Sequence, residues 1–342
     1  MTPLKQRALG LRDRYLADQR RPVQAYASET SAVAGGSLEF RVSAPGGGTC
    51  SVAVRRFGTP VTTRPVRFTA AGQEGPVRTR IPAPQRERSP ETGSQQDDGS
   101  DAARFPPPSA TAPMAATATG AHEPDEYVLT WCDWEPSLVL DIPDSWPTGL
   151  YAARFTVTVP RVSRHTLRSR SAYVPFVVRA RWDQTTAPTL VVLPFSTYAA
   201  QNRWPIDGST GRSLERGYTS DGRSTFLHRA RAVSLDRPFT GNGLPGGFGA
   251  DAAYVERLLA DRRPADFATG VDLHSGLIVP SAYESLVFVG GDQYWSAEMR
   301  DSVARAVGSG TVLLHPAAWP PPTVRFGPSP DGRPDRVLST TA

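Results

Sequence analysis

Four polar or aromatic residues follow a short apolar run in the last third of the chain. Two glycines separate this run, residues 286–289, from Asp292, Gln293, Tyr294 and Trp295. Such a run is typical of a buried parallel strand, and ligands bind beyond the carboxyl ends of such strands. A carboxylate, an amide and a phenol placed there could bind a metal ion or transfer protons. The alternative is structural: Tyr294 and Trp295 pack a following helix on the sheet, and Asp292 closes the turn.

Three other segments carry polar side chains at the ends of apolar runs. Tyr198 and Asn202 come after TLVVL, Asp272 and His274 end FATGVDLH, and His315 follows TVLL. Because the carboxyl ends of parallel strands share one edge of a sheet, we expect these side chains to form a polar rim there. The candidate catalytic residues are therefore Asn202, Asp272, His274, Asp292 and Tyr294.

Two common catalytic arrangements fit these residues poorly. A triad of His274 with Asp272 or Asp292 and a serine lacks both a G-x-S-x-G turn and an identifiable oxyanion loop. A metal site of His274, His315 and Asp272 would draw each histidine from a segment of its own, so loop packing is the simpler interpretation of both histidines.

Helices and further strands must hold this rim. Ser296 is placed to cap a helix that carries Met299 and Val303 on one face, and Gly308 suits its left-handed C-terminal position. Asp251 is the expected N-cap of a second helix, DAAYVERLLADR. Strands that alternate with helices predict a doubly wound, mostly parallel α/β domain over residues 181–342.

The first half of the chain has a different pattern. Leu38, Phe40 and Val42 alternate with polar residues between a GG turn and a PGGG break, which predicts antiparallel strands. Residues 23–180 are therefore expected to form an immunoglobulin-like β-sandwich. Residues 84–122 are rich in Pro, Ser, Ala and Thr and predict a disordered insertion in that domain. Residues 1–22 form an N-terminal extension with a short amphipathic helix expected at 4–19.

Composition limits the function classes. With 342 residues, 39% of them hydrophobic, the chain is long enough for two domains. A net charge of +5 comes far more from arginine than from lysine, without the long basic block typical of nucleic-acid binding. Cys50 and Cys132 make neither a disulfide framework nor a zinc site. We expect a cytoplasmic protein without a membrane partner, because no segment is apolar enough for a signal peptide or a membrane span.

Several motifs resemble one family. GGDQYWSAEMRD at 290–301 is similar to the GHDEYWS signature, followed by Met-Arg-Asp, of the N,N-dimethylformamidase large (beta) subunit family. WPTGLYAARF, YVPFVVR, VSLDRPF and VDLH are similar to other segments of that family. In the loop after TLVVL, the matching residues are Thr197, Ala200, Asn202, Trp204, Ser213 and Leu214.

The resemblance implies an immunoglobulin-like sandwich followed by an α/β domain, which here would be truncated by roughly a hundred residues. It implies a small amide substrate, and a homo-oligomer or a small subunit as partner. The family is understood to hold a mononuclear iron through two tyrosines and a glutamate, and the iron activates water for amide hydrolysis. On this chain the glutamate position carries Gln293, the tyrosine positions carry Gln201 and Glu215, and Gly291 replaces a histidine. A neutral amide binds a hard cation more weakly than a carboxylate, so the resemblance implies weak or absent iron.

Three functional hypotheses follow. The first is a family member that keeps the fold but has lost or altered its iron site. The second is an active amide-directed hydrolase with a rearranged metal set of Glu215, Asp272, His274 and Asp292. The third is a non-enzymatic interaction protein whose sandwich domain does the binding.

Overall fold

The computed structural model describes residues 23–59, 63–83, 126–157, 171–206, 211–219, 221–315 and 324–340. The helix expected at 4–19 and the insertion expected at 84–122 lie outside these residues. The described part of the chain is rich in β-strands and contains few helices.

Ten strands belong to the first part of the described chain. They are β1 (Gln24–Ala27), β2 (Ser31–Val33), β3 (Ser37–Ser43), β4 (Gly48–Arg56), β5 (Val66–Ala70), β6 (Val77–Pro82), β7 (Glu126–Trp131), β8 (Leu138–Asp141), β9 (Gly149–Val157) and β10 (Ser171–Arg179).

The second part of the described chain mixes strands with short helices. Its strands are β11 (Thr189–Leu193), β12 (Gly217–Tyr218), β13 (Ser224–Thr225), β14 (Ala232–Ser234), β15 (Ala265–Thr269), β16 (Ser285–Phe288), β17 (Val312–Leu314), β18 (Val324–Gly327) and β19 (Val337–Thr340). Its helices are α1 (Phe195–Gln201), α2 (Phe248–Ala260), α3 (Gly270–His274) and α4 (Ala297–Gly308), with one turn of 3₁₀ helix at Pro280–Ala282.

Two sheets of the first part share one hydrophobic core. One has the strand order β1-β3-β8 and the other β2-β10-β9-β4-β5, with β2 and β10 parallel and the other pairs antiparallel. Alternate residues of β3, including Phe40, point into this core. The ring of Phe40 lies 5.2 Å from that of Phe155 and 6.0 Å from that of Phe176, centroid to centroid. The predicted alternation in this region is therefore confirmed.

Strands β6 and β7 form a separate antiparallel pair whose register ends with Pro82 opposite Glu126. Both strands fall within residues 23–180, which were expected to form one sandwich, but β7 pairs with neither sheet of that core. Its inward-facing Leu129 and Trp131 pack against Ala232 of β14 instead. The apolar face of β7 is thus covered by the second part of the chain.

The second part is built on a four-stranded sheet of order β15-β11-β16-β17 in which every neighbouring pair is parallel. Leu190 and Val192 of β11 face one apolar cluster with Met299 of α4, and Val191 faces another with Val255 of α2. Burial on both faces explains why β11 is a continuous apolar run. The strand predicted at 286–289 is confirmed as β16.

Two helix starts differ from the sequence expectation. Helix α2 begins at Phe248 after Gly247, whose φ of 81° is left-handed, so Asp251 lies in the first turn and is not the N-cap. FATGVDLH is not one strand: β15 ends at Thr269, and Thr269 then starts helix α3 through a capping box with Asp272. The Thr hydroxyl and the Asp carboxylate satisfy the free backbone N–H groups there, and this outweighs the β-forming character of the run.

Helix α4 begins as predicted, because the Ser296 side chain accepts a hydrogen bond from the Met299 amide at 3.2 Å. Its end is later than expected. Gly308 is the last helical residue, and the left-handed position falls on Gly310, with φ of 100°.

Two findings bear on the predictions from composition. Cys50 and Cys132 are both buried and unpaired with each other. Among the residues that the structure describes, no helix has the length and apolar character needed to cross a membrane.

Candidate functional site

The polar rim predicted at the carboxyl edge of the parallel sheet is divided into two groups. One lies between the end of α1 and the loop after β16, and the other lies around α3 and the start of α4. We call the first, made of Gln201, Glu215 and Gln293, the amide–carboxylate cluster.

The amide–carboxylate cluster joins three segments that are distant in sequence. Gln201 Nε2 donates to Glu215 Oε1 at 2.9 Å and to Gln293 Oε1 at 3.3 Å. The Tyr294 hydroxyl donates to the same Glu215 oxygen at 3.4 Å. The three positions that the family resemblance assigned to metal ligands therefore do meet in space.

Local structure fixes the position of each member. Gln201 is the last residue of α1, and the Leu214 amide donates to the Ala200 carbonyl at 2.8 Å, which brings the 211–216 segment alongside that helix. Ser213 Oγ accepts from the Glu215 amide at 3.2 Å and turns this segment so that Glu215 faces Gln201. Asn202, predicted as catalytic, is buried and donates to the Pro238 carbonyl at 2.9 Å, so it braces the same region.

A cavity of about 310 Å³ opens beside the cluster. Its volume is in the range of pockets that hold small molecules. Among the described residues, the polar ones that line it are Tyr198, Gln201, Asn202, Arg203, Ser213, Glu215, Arg216 and Thr240.

Asp292 lies beneath the cluster and is fully buried. Its carboxylate accepts from Thr197 Oγ1 at 2.8 Å and from Trp295 Nε1 at 3.0 Å. Thr197 Oγ1 in turn accepts from the amides of Gln293 and Tyr294 at 2.9 and 3.2 Å. This geometry gives Asp292 a positioning role, since it holds the loop that presents Gln293.

These segments are the ones that a family comparison identifies. The model for N,N-dimethylformamidase beta subunit-like proteins, C-terminal region, matches residues 94–318. The chain belongs to this family. No curated protein matches the sequence. The dimethylformamidase beta subunit-like match includes the whole parallel sheet and all three members of the amide–carboxylate cluster, which confirms the resemblance drawn from the motifs.

The donors at the family's ligand positions do not suit a hard ferric ion. Such an ion prefers anionic oxygen ligands, and this dimethylformamidase beta subunit-like chain offers one carboxylate, from Glu215, and two neutral amides. The amide nitrogen of Gln201, which cannot act as a ligand, is directed at both of the other members. The Gln201 amide thus joins the other two members of the cluster by hydrogen bonds.

The second group surrounds His274. Its Nδ1 lies 2.8 Å from Ser296 Oγ and 3.2 Å from a Glu298 carboxylate oxygen, and its Nε2 lies 3.3 Å from Asp335 Oδ1. The ring also stacks on Phe326 at 4.2 Å. Ser296 is fully buried and caps α4, so it is not placed as a nucleophile and the histidine packs and orients these loops.

Asp272 turns away from His274 although both lie on α3. Its carboxylate accepts from the Thr269 amide at 2.7 Å and from the Ser31 hydroxyl, and it faces Arg179 at 3.5 Å. The rearranged metal set expected from Glu215, Asp272, His274 and Asp292 is therefore not assembled. Within the described ranges, no three His, Cys, Asp or Glu side chains are grouped so that they could hold a metal ion.

Two residues organise the site through contacts that the sequence did not indicate. Thr197 was noted as a motif match, but its hydroxyl joins Asp292 to the Gln293 loop. Tyr198 donates to the buried Asp251 carboxylate, and burial raises the pKa of both groups. Asp251 also lies 2.4 Å from where a Cβ at Gly290 would be, and the left-handed φ of 65° there favours glycine as well. The GG turn was the available signal for this close approach.

The buried Asp292 predicts a pH effect on stability. Burial raises its pKa from the ordinary 3.8 to about 7, against the opposing effect of its two donors. The folded state therefore binds the proton more tightly, and the stability from this group is present at low pH and lost as pH rises toward 7. Asp292→Asn removes this loss, so its stability relative to the unsubstituted chain should rise by about 3 kcal/mol between pH 5 and pH 8.

Urea unfolding of both proteins at the two pH values measures this difference. Asp301→Asn, at an exposed position of α4, is the matched control and should leave the pH dependence unchanged. A parallel pH dependence in the Asp292 variant and the unsubstituted chain would show that this carboxyl does not titrate over that range.

Proposed function

We propose that this chain is a dimethylformamidase beta subunit-like protein with a degenerate iron site, which does not hydrolyse amides by the family's iron-dependent route. The observation that carries the proposal is the hydrogen-bonded cluster of Gln201, Glu215 and Gln293 at the ligand positions. A small amide remains the expected type of ligand for the adjacent cavity.

The loss of a residue that could transfer protons also supports this proposal. The signature histidine is replaced by Gly291, and no atom of the described residues, chain neighbours aside, lies within 4 Å of where a Cβ would be, so the space next to this position is open. His274 is held by Ser296 and Asp335 and is not directed at the cluster. Loss of anionic ligands and loss of a proton carrier both remove what metal-assisted hydrolysis of an amide requires.

We also propose the finer architecture: an immunoglobulin-like sandwich over 23–180 and a doubly wound α/β domain over 181–342. Two sheets around one apolar core support the first assignment. A parallel sheet that is buried on both faces supports the second.

The test is the iron content of the protein purified from iron-supplemented expression and dialysed against a mild chelator. We expect substoichiometric iron and no release of amine from simple formamides. Gln293→Glu with Gly291→His restores a carboxylate and an imidazole, and should raise retained iron while leaving amide hydrolysis at background.

The control is Gln201→Leu with Glu215→Leu, which removes the remaining oxygen donors at two positions of the cluster. The proposal fails if the unsubstituted chain retains stoichiometric iron that these leucine substitutions abolish. It also fails if the unsubstituted chain binds iron as tightly as the variant with Glu at position 293.

A further inference from the structure

A second cleft, of about 200 Å³, lies between the β6–β7 pair and the segments at 211–212 and 229–232. It is separate from the cavity beside the amide–carboxylate cluster. Five arginines line it: Arg78, Arg212, Arg229, Arg231 and Arg237. We call it the arginine cleft.

Negative charge in the arginine cleft is scarce. Glu126 is the one acidic residue among the described lining residues, and its carboxylate pairs with Arg80 at 3.3 Å. Arg212 Nε is buried without a hydrogen-bond partner in the described part of the chain. A buried guanidinium N–H without an acceptor is costly, and an anion in the cleft would stabilise the positive charge that Arg212 carries there.

The arginines also repel one another. The Arg229 guanidinium carbon lies 3.9 Å from the centroid of the Phe226 ring, and this cation–π contact helps to fix its position. Burial and the neighbouring Arg231 charge lower the pKa of Arg229. An oxyanion that accepts hydrogen bonds from both guanidinium groups would offset this repulsion.

Arg237 forms the floor of the cleft. It is fully buried, and its N–H groups are occupied by backbone carbonyls, including that of Arg212 at 3.3 Å. It therefore adds positive potential and holds the backbone of Arg212 without donating to a ligand.

We propose that the arginine cleft binds a small, multiply charged organic oxyanion, a phosphate monoester or a dicarboxylate. Guanidinium groups bind phosphate and carboxylate oxygens in pairs, which a single point charge such as chloride cannot match. The cleft is smaller than most drug-sized pockets, so the ligand is small. Val128, Ala230 and Ala232 supply apolar lining for a short carbon skeleton.

The test is isothermal titration of the full chain with inorganic phosphate, succinate and chloride at constant ionic strength. We expect saturable binding of phosphate and of succinate and none of chloride. The ratio of the two affinities tells which oxyanion chemistry the cleft prefers. Arg212→Gln and Arg231→Gln should each weaken binding about ten-fold or more, since a charge-assisted hydrogen bond contributes about 1.5–3 kcal/mol.

Arg67→Gln is the matched control, because Arg67 is exposed on β5 and does not line the cleft. It should bind both anions as the unsubstituted chain does. Arg231 is exposed, so its substitution should leave the fold intact, as checked by the thermal midpoint without ligand. The proposal is overturned if neither anion saturates, if chloride binds equally well, if the cleft variants bind like the control, or if only a polyanion such as heparin binds.

Discussion

A variant carrying Gln201→Tyr, Glu215→Tyr, Gly291→His and Gln293→Glu is expected to bind ferric iron at least about a hundred-fold more tightly than the unsubstituted chain. The three ligand positions already meet, as the hydrogen bonds from Gln201 show. Two phenolates and a carboxylate would replace one carboxylate and two amides. Two additional charge-assisted contacts of about 1.5–3 kcal/mol each give this factor.

Phenolate-to-iron charge-transfer absorption in the visible range, together with the iron retained after dialysis, measures the gain. The matched control carries Phe in place of Tyr at both positions, which keeps the size of each ring and removes its oxygen. Absence of the absorption band in the tyrosine variant, with the fold intact, would show that these positions are not the family's ligands on this chain.

Arg237→Met is expected to destabilise the protein by about 3–5 kcal/mol, which is a large part of the total stability of an ordinary domain. Met has a similar length but no donors. The guanidinium is fully buried, and its loss leaves buried carbonyl oxygens without hydrogen bonds. The carbonyls that accept from it at 3.0–3.4 Å are those of Ala199, Asn202, Trp204, Arg212 and Ser234.

Urea unfolding monitored by tryptophan fluorescence gives this loss of stability, and loss of soluble protein is the extreme outcome. Arg231→Met, at an exposed position nearby, should change the free energy of unfolding by less than about 0.5 kcal/mol. Equal midpoints for the two variants would mean that the buried guanidinium makes no net contribution.

The partners of the adjacent Asp236 and Arg237 could not be predicted from the sequence. Both residues brace loops, but they do not pair with each other. Asp236 instead accepts from Arg336 at 2.8 and 3.0 Å and pairs with Arg333 at 2.7 Å. These partners are about a hundred residues away, and no local pattern encodes them.

Some structural features that depend only on neighbouring residues were predicted correctly from the sequence. The Ser296 cap and the strand before it follow from capping chemistry and from burial of an apolar run. The end of β15 was missed because VDL continues the apolar run, although Thr269 three residues before Asp272 is a capping pattern. That Asp292 is buried beneath its loop, and does not line the cavity, depends on contacts with Thr197 that only tertiary structure reveals.

The amide–carboxylate cluster was predicted from the family's motifs more than from the chemical properties of its residues. The positions of Gln201, Glu215 and Gln293 came from the family resemblance, and the structure brings them together. The composition indicated only a net positive charge, without showing where on the protein it is concentrated. Its concentration in the arginine cleft arises because the β6–β7 pair folds onto β14, a contact between segments far apart in the chain.

The pairing of β6 with β7 also governs how the chain tolerates change in length. Because Pro82 lies opposite Glu126, the two strand ends that flank residues 84–125 lie side by side. The entropy of closing a loop grows only logarithmically, so doubling such a stretch costs about 0.6 kcal/mol. We therefore expect an insertion or a deletion between these two strand ends to leave in place the β6–β7 pair and the arginine cleft that it lines.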